Sequence, residues 1–310
     1  MALTLSDGSP VSRFCFGAMQ FGGTADETAS QAMYEACRAL GINFFDTANA
    51  YTGGTSETWL GAFARSDREN VYIATKAAGQ GRADRASLRG QVSESLGRLK
   101  MDAVDALYLH RWDSETPLEE TYEALAEMRA EGKFRDLGVS NYAAWQVMKA
   151  AQVAARFDLR ISLMQPMYNL VKRQVEVEIL PMAADQGIAV VPYSPLGGGL
   201  LTGKYRGQGA GRITDDPRYA SRYRERWMHD AASNLAELAD EVGVAASTLA
   251  VAWVAQQPDV FAPIISARSV DQLEPSLAAL EYRMDDALLA RVTALSPTPA
   301  PATDRLEDVA

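Results

Sequence analysis

Short apolar runs bounded by turn residues alternate along the chain with longer segments in which apolar positions recur every three to four residues. The runs Phe14 to Gly17, Asn43 to Asp46, Val71 to Thr75, Ala106 to His110, Asp136 to Val139, Leu163 to Pro166, Ala189 to Pro192 and Ala262 to Ile265 predict eight short buried strands. Between them the longer period predicts helices over Glu27 to Leu40, Ser87 to Leu99, Leu118 to Glu131, Ala143 to Arg156, Val177 to Gln186, Asp230 to Val242, Ala245 to Gln256 and Val270 to Leu280. Two of the starts carry cap signals: Thr116-Pro117 stands ahead of Glu119 and Glu120, and Ser269 precedes the last helix.

Repeated strand–helix alternation predicts an α/β fold with a parallel sheet, and a count of eight strands favours a closed (β/α)8 TIM barrel over an open doubly wound sheet. One barrel domain over residues 1–295 accounts for the pattern. The stretch from Ser296, SPTPAPATDRLEDVA, is rich in proline and small residues and predicts a flexible tail over 296–310. In a barrel, reactive groups stand just past the C-terminal ends of the strands. Here those positions hold Asp46, Lys76, His110, Ser140, Asn141, Gln165 and Tyr193, all polar.

Composition narrows the classes. Hydrophobic residues make up 47% of the 310 positions and the net charge is −10, so the chain can bury a large core but lacks the broad cationic face that nucleic acid or an anionic membrane requires. Two cysteines, Cys15 and Cys37, form no disulfide framework and no metal-ligand spacing. Reduced thiols, no metal and a cytoplasmic location are expected, and no segment reads as a leader or a membrane span.

The strand-end set points to carbonyl reduction. That reaction needs an acid for the developing alkoxide, and a phenol with a pKa near 10 needs help. A buried ammonium beside it favours the phenolate, and a carboxylate keeps the ammonium charged. Asp46, Tyr51 and Lys76 supply that trio, and His110, one of two histidines, stands ready to donate to the carbonyl oxygen. Taken singly each has a structural alternative: a rim salt bridge for Asp46 or Lys76, packing for Tyr51, a structural role for His110. A Schiff-base aldolase built on Lys76 is the competing barrel chemistry.

The run Gly41-Ile-Asn-Phe-Phe-Asp-Thr-Ala-Asn-Ala-Tyr51, followed by Ser56-Glu57 and Leu60-Gly61, resembles the aldo-keto reductase signature. The likeness continues through Leu107-Tyr-Leu-His110, Leu137-Gly-Val-Ser-Asn141, Gln165-Pro-Met-Tyr-Asn169 and the stretch from Val191 to Tyr205, and covers roughly Arg13 to Leu280. The Tyr193-to-Tyr205 stretch and Ile264-Ile-Ser-Ala-Arg-Ser269 make it most similar to bacterial members and the potassium-channel β-subunit branch.

By position, the resemblance implies Tyr51 as proton donor, Lys76 and Asp46 as its tuning pair and His110 as the group orienting the carbonyl. It implies NADP(H) as cofactor, with Ser140, Asn141 and Gln165 on the nicotinamide amide and Tyr193 stacked on the ring. Gly17, Ala18, Met19 and Asp46 would also contact the cofactor. Backbone amides around Ser194, Leu196, Gly197 and Gly199, with the ammonium of Lys204, would hold the pyrophosphate, and Pro195, Leu201 and Arg212 would also contact the cofactor. Ser266, Arg268, Gln272 and Ser276 would hold the adenosine end, Arg268 meeting the 2′-phosphate.

The sequence departs from the pattern where Ser266 replaces a glycine, where Pro275 and Ser276 replace Glu-Asn, and where Ala18 and Met19 replace threonine and an aromatic. The substrate, a small carbonyl compound or alcohol, would meet Met19, Tyr51, His110, Trp112 and Trp227, although the aromatics serve equally as packing. Gly207 to Gly211 reads as loop flexibility. Six arginines against three acids between Arg206 and Arg226 read either as a lid over the cofactor or as a solvated loop. The resemblance leaves a slowly turning NADP(H)-binding redox sensor or regulatory subunit as the alternative to an enzyme, and a monomer or small homo-oligomer as the assembly.

Overall fold

The computed structural model describes residues 3–79, 82–206, 209–305 and 307. Gly207 and Gln208 of the glycine-rich run, and Leu306 and residues 308–310 of the tail, lie outside the described residues. Eight strands form: β1 (Cys15–Gly17), β2 (Phe44–Asp46), β3 (Tyr72–Ala77), β4 (Val104–Leu109), β5 (Phe134–Ser140), β6 (Ile161–Gln165), β7 (Ala189–Val190) and β8 (Ile264–Ile265). They pair in parallel in the order β7-β6-β5-β4-β3-β2-β1-β8. The two outer strands meet through a parallel bridge of Val190 with Val260, a bond from the Phe261 amide to the Val190 carbonyl at 2.8 Å, and one from the Ile264 amide to the Pro192 carbonyl at 2.9 Å. That contact curls the sheet into the (β/α)8 barrel.

Strand alternation then sorts the side chains. Cys15, Phe44, Tyr72, Ala74, Ala106, Tyr108, Leu163, Ala189, Val191 and Ile264 fill the barrel interior, while Phe16, Phe45, Ile73, Leu107, Val139, Met164, Val190 and Ile265 face the helices. Gly138 leaves room for an interior ring, since a Cβ there would sit 2.4 Å from Tyr108 Cδ1. Two residues beyond Phe44, Ala74, Tyr108, Gly138, Leu163 and Val191 come Asp46, Lys76, His110, Ser140, Gln165 and Tyr193. The period of two therefore delivers one polar layer at the C-terminal mouth.

At the opposite end an antiparallel bridge of Thr4 with Pro10 folds the N-terminus back, and Leu3, Leu5 and Val11 join the interior cluster as a plug. Around the barrel run α1 (Glu27–Ala39), α2 (Thr55–Ala64), α3 (Arg85–Leu99), α4 (Leu118–Ala130), α5 (Ala144–Ala155) and α6 (Ile179–Gln186). They are followed by α7 (Arg212–Asp215), α8 (Pro217–Arg222), α9 (Arg226–Val242), α10 (Ala246–Ala255), α11 (Val270–Leu277) and α12 (Asp286–Thr293).

Ser269 caps α11, its hydroxyl accepting from the Gln272 amide at 3.3 Å. Thr116 does not cap α4: its hydroxyl donates to Asp113 at 2.5 Å, and Pro117 occupies the N-cap. Helix α2 was not expected. It is mostly apolar, so its period is weak, and it packs closely because Gly61 has no side chain; a Cβ there would lie 2.2 Å from the Leu99 carbonyl oxygen. Among the described residues no single helix is long and apolar enough to cross a membrane.

Candidate active site

Lys76 and Asp46 are 1% and 3% exposed, and they form a direct ion pair inside the mouth of the barrel. An isolated charge at that depth is unfavourable, so each needs further partners. Lys76 Nζ also donates to the Thr47 carbonyl at 2.8 Å and reaches the Tyr51 hydroxyl at 3.3 Å. Gln165 Nε2 donates to the second oxygen of Asp46 at 2.9 Å. All three ammonium protons and both carboxylate oxygens are thus occupied.

Burial alone lowers Lys76, but Asp46 and then Tyr51 outweigh it and hold the ammonium above its ordinary value. Tyr51 differs from expectation. Burial raises its phenol, and the opposing pull of Lys76 does not overcome that, so the hydroxyl stays protonated at neutral pH. The net direction is upward, the reverse of a phenol tuned toward neutrality, because desolvation acts on Tyr51 more strongly than one ammonium at 3.3 Å.

His110 meets the Tyr51 ring edge-on with centroids 5.9 Å apart. Burial, helped by the charges of Lys76 and Arg111, pushes its imidazole down to about 3, so it is neutral at working pH. Its Nδ1 is buried without a hydrogen-bond partner among the described residues, against the backbone of Gly79, where a Cβ would come within 2.8 Å.

A second set of buried polar groups props this layer from behind. Glu57 of α2, fully buried, accepts from Thr75 Oγ1 at 2.6 Å and pairs with Arg98 at 3.2 Å, and Arg98 also donates to the Asn49 carbonyl at 2.9 Å. Ser56 Oγ bonds the Ala18 carbonyl at 2.7 Å and lies 2.8 Å from Thr47 Oγ1. Glu57 and Ser56 stood in the quoted motif without a role. The signal that would have found them is a carboxylate inside an otherwise apolar helix, which must be paired.

Around the other half of the mouth, Ser140 Oγ donates to the Gln165 carbonyl at 2.9 Å. Asn141 Nδ2 donates to the His110 carbonyl at 3.0 Å, and Tyr193 donates from its hydroxyl to Asn141 Oδ1 at 2.7 Å. Asn141 and Ser194 are held at positive φ, 59° and 61°, conformations that need tight surroundings in residues with a Cβ. The chain then turns through Gly197, Gly198 and Gly199, all at positive φ. The amides of Gly197 and Gly199 donate inward, to Ser194 and Leu196 carbonyls at 2.9 Å each, whereas the Ser194 and Leu196 amides of that expected set have no backbone acceptor among the described residues.

Most arginines elsewhere are tied to acids: Arg85 and Arg89 to Glu127, Arg38 to Asp67, Arg291 to Glu241. Lys204, Arg212 and Arg268 have neither an ion pair nor a side-chain hydrogen bond among the described residues. Lys204 and Arg212 lie over the rings of Tyr205 and Tyr219, at 4.8 and 5.5 Å. Gln272 Oε1 accepts from the Arg268 amide at 2.9 Å, and the Ser266 hydroxyl is buried without a partner among the described residues. Ser276 is buried in α11. Unpaired cations and an orphan hydroxyl along one side of the mouth are what an extended anionic ligand needs. Gly17, with a Cβ position 2.8 Å from Ile264 Cγ2, and Ala18 form the floor beside β8, and Pro195 and Leu201 belong to the β7 loop.

Of the residues expected to wall the substrate, Trp112 packs edge-on against Tyr142 and Trp145 at 5.2 and 5.7 Å. Met19 is 36% and Trp227 38% exposed, and Trp227 makes no aromatic contact among the described residues. Within the arginine-rich stretch the chain forms α7 and α8.

Residues 13–297 match the model of the aldo/keto reductase family. The chain is 37% identical over 294 residues to a probable voltage-gated potassium channel β subunit of Oryza sativa subsp. japonica, covering 88% of this chain and 89% of that one. It is 37% identical over 290 residues to aflatoxin B1 aldehyde reductase member 2 of Rattus norvegicus, covering 86% and 79%. A solved structure, the glycerol dehydrogenase of Gluconobacter oxydans, superposes with a TM-score of 0.81 at 26% identity, covering 95% of this chain and 94% of that one. A barrel with this buried layer at its mouth, matched by the family model along most of its length, belongs to the aldo/keto reductase family.

Proposed function

We propose that the protein is an NADPH-dependent reductase of aldehydes or ketones, with Tyr51 as the proton donor. As an oxidoreductase of this family it works with a nicotinamide dinucleotide, which supplies or accepts the hydride. The observation that carries the proton-donor reading is the buried contact of Lys76 with both Asp46 and Tyr51. A protonated phenol in a water-poor site is the right species to give up H⁺ as negative charge grows on a carbonyl oxygen. The ammonium of Lys76 then stabilises the phenolate that remains, and Asp46 keeps that ammonium in place. Neutral His110 fixes the carbonyl by a hydrogen bond without competing as an acid.

Ser140, Asn141 and Gln165 would hold the carboxamide, and the Tyr193 ring would back the nicotinamide. Lys204, Arg212, Ser266 and Arg268 suit the phosphates. The free guanidinium of Arg268, with its backbone steadied by Gln272, favours NADPH over NADH because a fork of N–H donors fits a phosphate. A small carbonyl compound or alcohol is the partner, and the reduced thiols of Cys15 and Cys37 fit the cytoplasm.

The test is a panel of aliphatic and aromatic aldehydes, dicarbonyls and sugars assayed with NADPH and NADH in parallel. Loss of nicotinamide absorbance with NADPH is expected for some members. A protein that binds NADPH yet oxidises it with none of them would overturn the reading and leave a binding or sensing role.

A further inference from the structure

Further cations without an acidic partner among the described residues lie beside Tyr193, and one of them, Arg222, shares the Tyr219 ring with Arg212, a residue assigned to the dinucleotide. Arg222 of α8 stands 5.1 Å over the Tyr219 ring, and Tyr219 rests on the β7 loop, where a Cβ on Gly198 would be 2.6 Å from its ring. Lys172 Nζ stands 5.6 Å over the Tyr223 ring. The Tyr223 hydroxyl lies 3.4 Å from Asn169 Nδ2, which donates to the Ser194 carbonyl at 2.9 Å. Arg111 follows His110 directly, and the His110 carbonyl is bonded to Asn141, the acceptor of the Tyr193 hydroxyl.

Two cations are therefore held on aromatic shelves fastened to the loop after β7, and a third flanks the histidine. None of the three has an ion pair or a side-chain hydrogen bond among the described residues. Their fields overlap: Arg222 and Arg111 both act on Tyr193, and Lys172 is depressed first by burial and then by Arg222. Glu225, the carboxylate that acts on Lys172, is engaged by Arg224 at 2.9 Å. In a chain of net charge −10 with acids to spare, like charges converging on a mouth without a counterion are waiting for one.

We infer that the carbonyl substrate carries an anionic group, a carboxylate or a phosphate, which Arg222, with Lys172 and Arg111 beside it, holds while the carbonyl sits at Tyr51 and His110. This rests on the reductase reading for the position of the carbonyl but not for the anion contact itself. The cation–π shelves keep the guanidinium and ammonium in place at small entropic cost. Charge at the mouth also raises the local concentration of an anionic aldehyde.

The experiment uses the full chain with saturating NADPH and compares 4-formylbenzoate and 4-formylphenyl phosphate with 4-methylbenzaldehyde at low ionic strength. The expected kcat/KM is at least ~10-fold higher for an anionic member than for the neutral one, shrinking with added salt. In Arg222→Gln that ratio falls toward one, mainly through KM, and Arg222→Lys restores most of it. The better of the two anions identifies the group. A wild-type ratio of one or less, or a ratio unchanged in Arg222→Gln, overturns the proposal. So does weaker NADPH binding in Arg222→Gln with the ratio intact, which would assign the cation to the dinucleotide.

Calorimetric binding of 4-hydroxymethylbenzoate against 4-methylbenzyl alcohol provides a readout without turnover. Preference for the anion that depends on Arg222, in a protein that reduces no aldehyde, would sustain the anion site and sink the reductase reading. No preference in either assay sinks the anion site.

Discussion

The two halves of the barrel mouth differ in how much of their polar chemistry is already satisfied. On the β2–β3 side, Asp46, Lys76, Thr47 and Tyr51 bond to one another, Gln165 of β6 reaches across to Asp46, and Glu57, Arg98, Thr75 and Ser56 fix them from behind. On the β7–β8 side, among the described residues, Lys204, Arg212 and Arg268 stand unpaired and the Ser266 hydroxyl is buried without a partner. The first half is organised before any ligand arrives, as a proton-delivering group must be if its geometry is not to be rebuilt in each turnover. The second half would be completed by the dinucleotide proposed to bind there.

That contrast predicts opposite responses to removing a cation. Lys76→Met leaves the Asp46 carboxylate buried with Gln165 and no counterion, and should cost about 3–5 kcal/mol of unfolding free energy. Arg268→Ala removes a guanidinium with nothing to lose in the free protein, so its unfolding free energy should stay within about 0.5 kcal/mol of wild type. Its affinity for NADPH should nevertheless fall ~10-fold or more, while NADH is unaffected. Denaturant melts and calorimetric titrations on both variants check this. Equal destabilisation by the two would erase the distinction.

A smaller effect sharpens the first half. His110 is neutral in the folded protein, with its pKa down at about 3 against 6.5, so the unfolded chain binds more protons across that window. The associated stability is fully present above pH 6.5 and declines as pH falls toward 3, by about 2 kcal/mol at pH 5. His110→Gln should flatten that decline in thermal melts taken across the window. An identical pH dependence in the variant would show that His110 does not titrate as its burial dictates.

How much of this was legible depended on whether period or partnership carried the signal. The eight strands were readable because each is a short apolar run between turns, and the period of two carries Phe44 to Asp46 and Leu163 to Gln165 along one interior face. Helix α2 was missed because its mostly apolar sequence shows little amphipathic contrast. The short helices α7 and α8 lie in an arginine-rich stretch where neither period operates. Residue types identified the Asp46, Tyr51 and Lys76 trio, but the sign of the net shift on Tyr51 was not readable, since it depends on burial that no local pattern records. Of the props, Glu57 carries a signal of its own, a carboxylate inside a mostly apolar helix, but its bond to Thr75 of β3 and the bond of Ser56 to the Ala18 carbonyl emerge only in the fold.

The most direct test of the account is single-turnover oxidation of bound NADPH by 4-methylbenzaldehyde in wild type and in Tyr51→Phe. Affinity for NADPH should be unchanged, because the lost hydroxyl faces Lys76, while the rate of oxidation should fall by ~10²–10⁴. Oxidation at the wild-type rate by the phenylalanine variant would contradict it, since no phenol would then be needed to protonate the carbonyl.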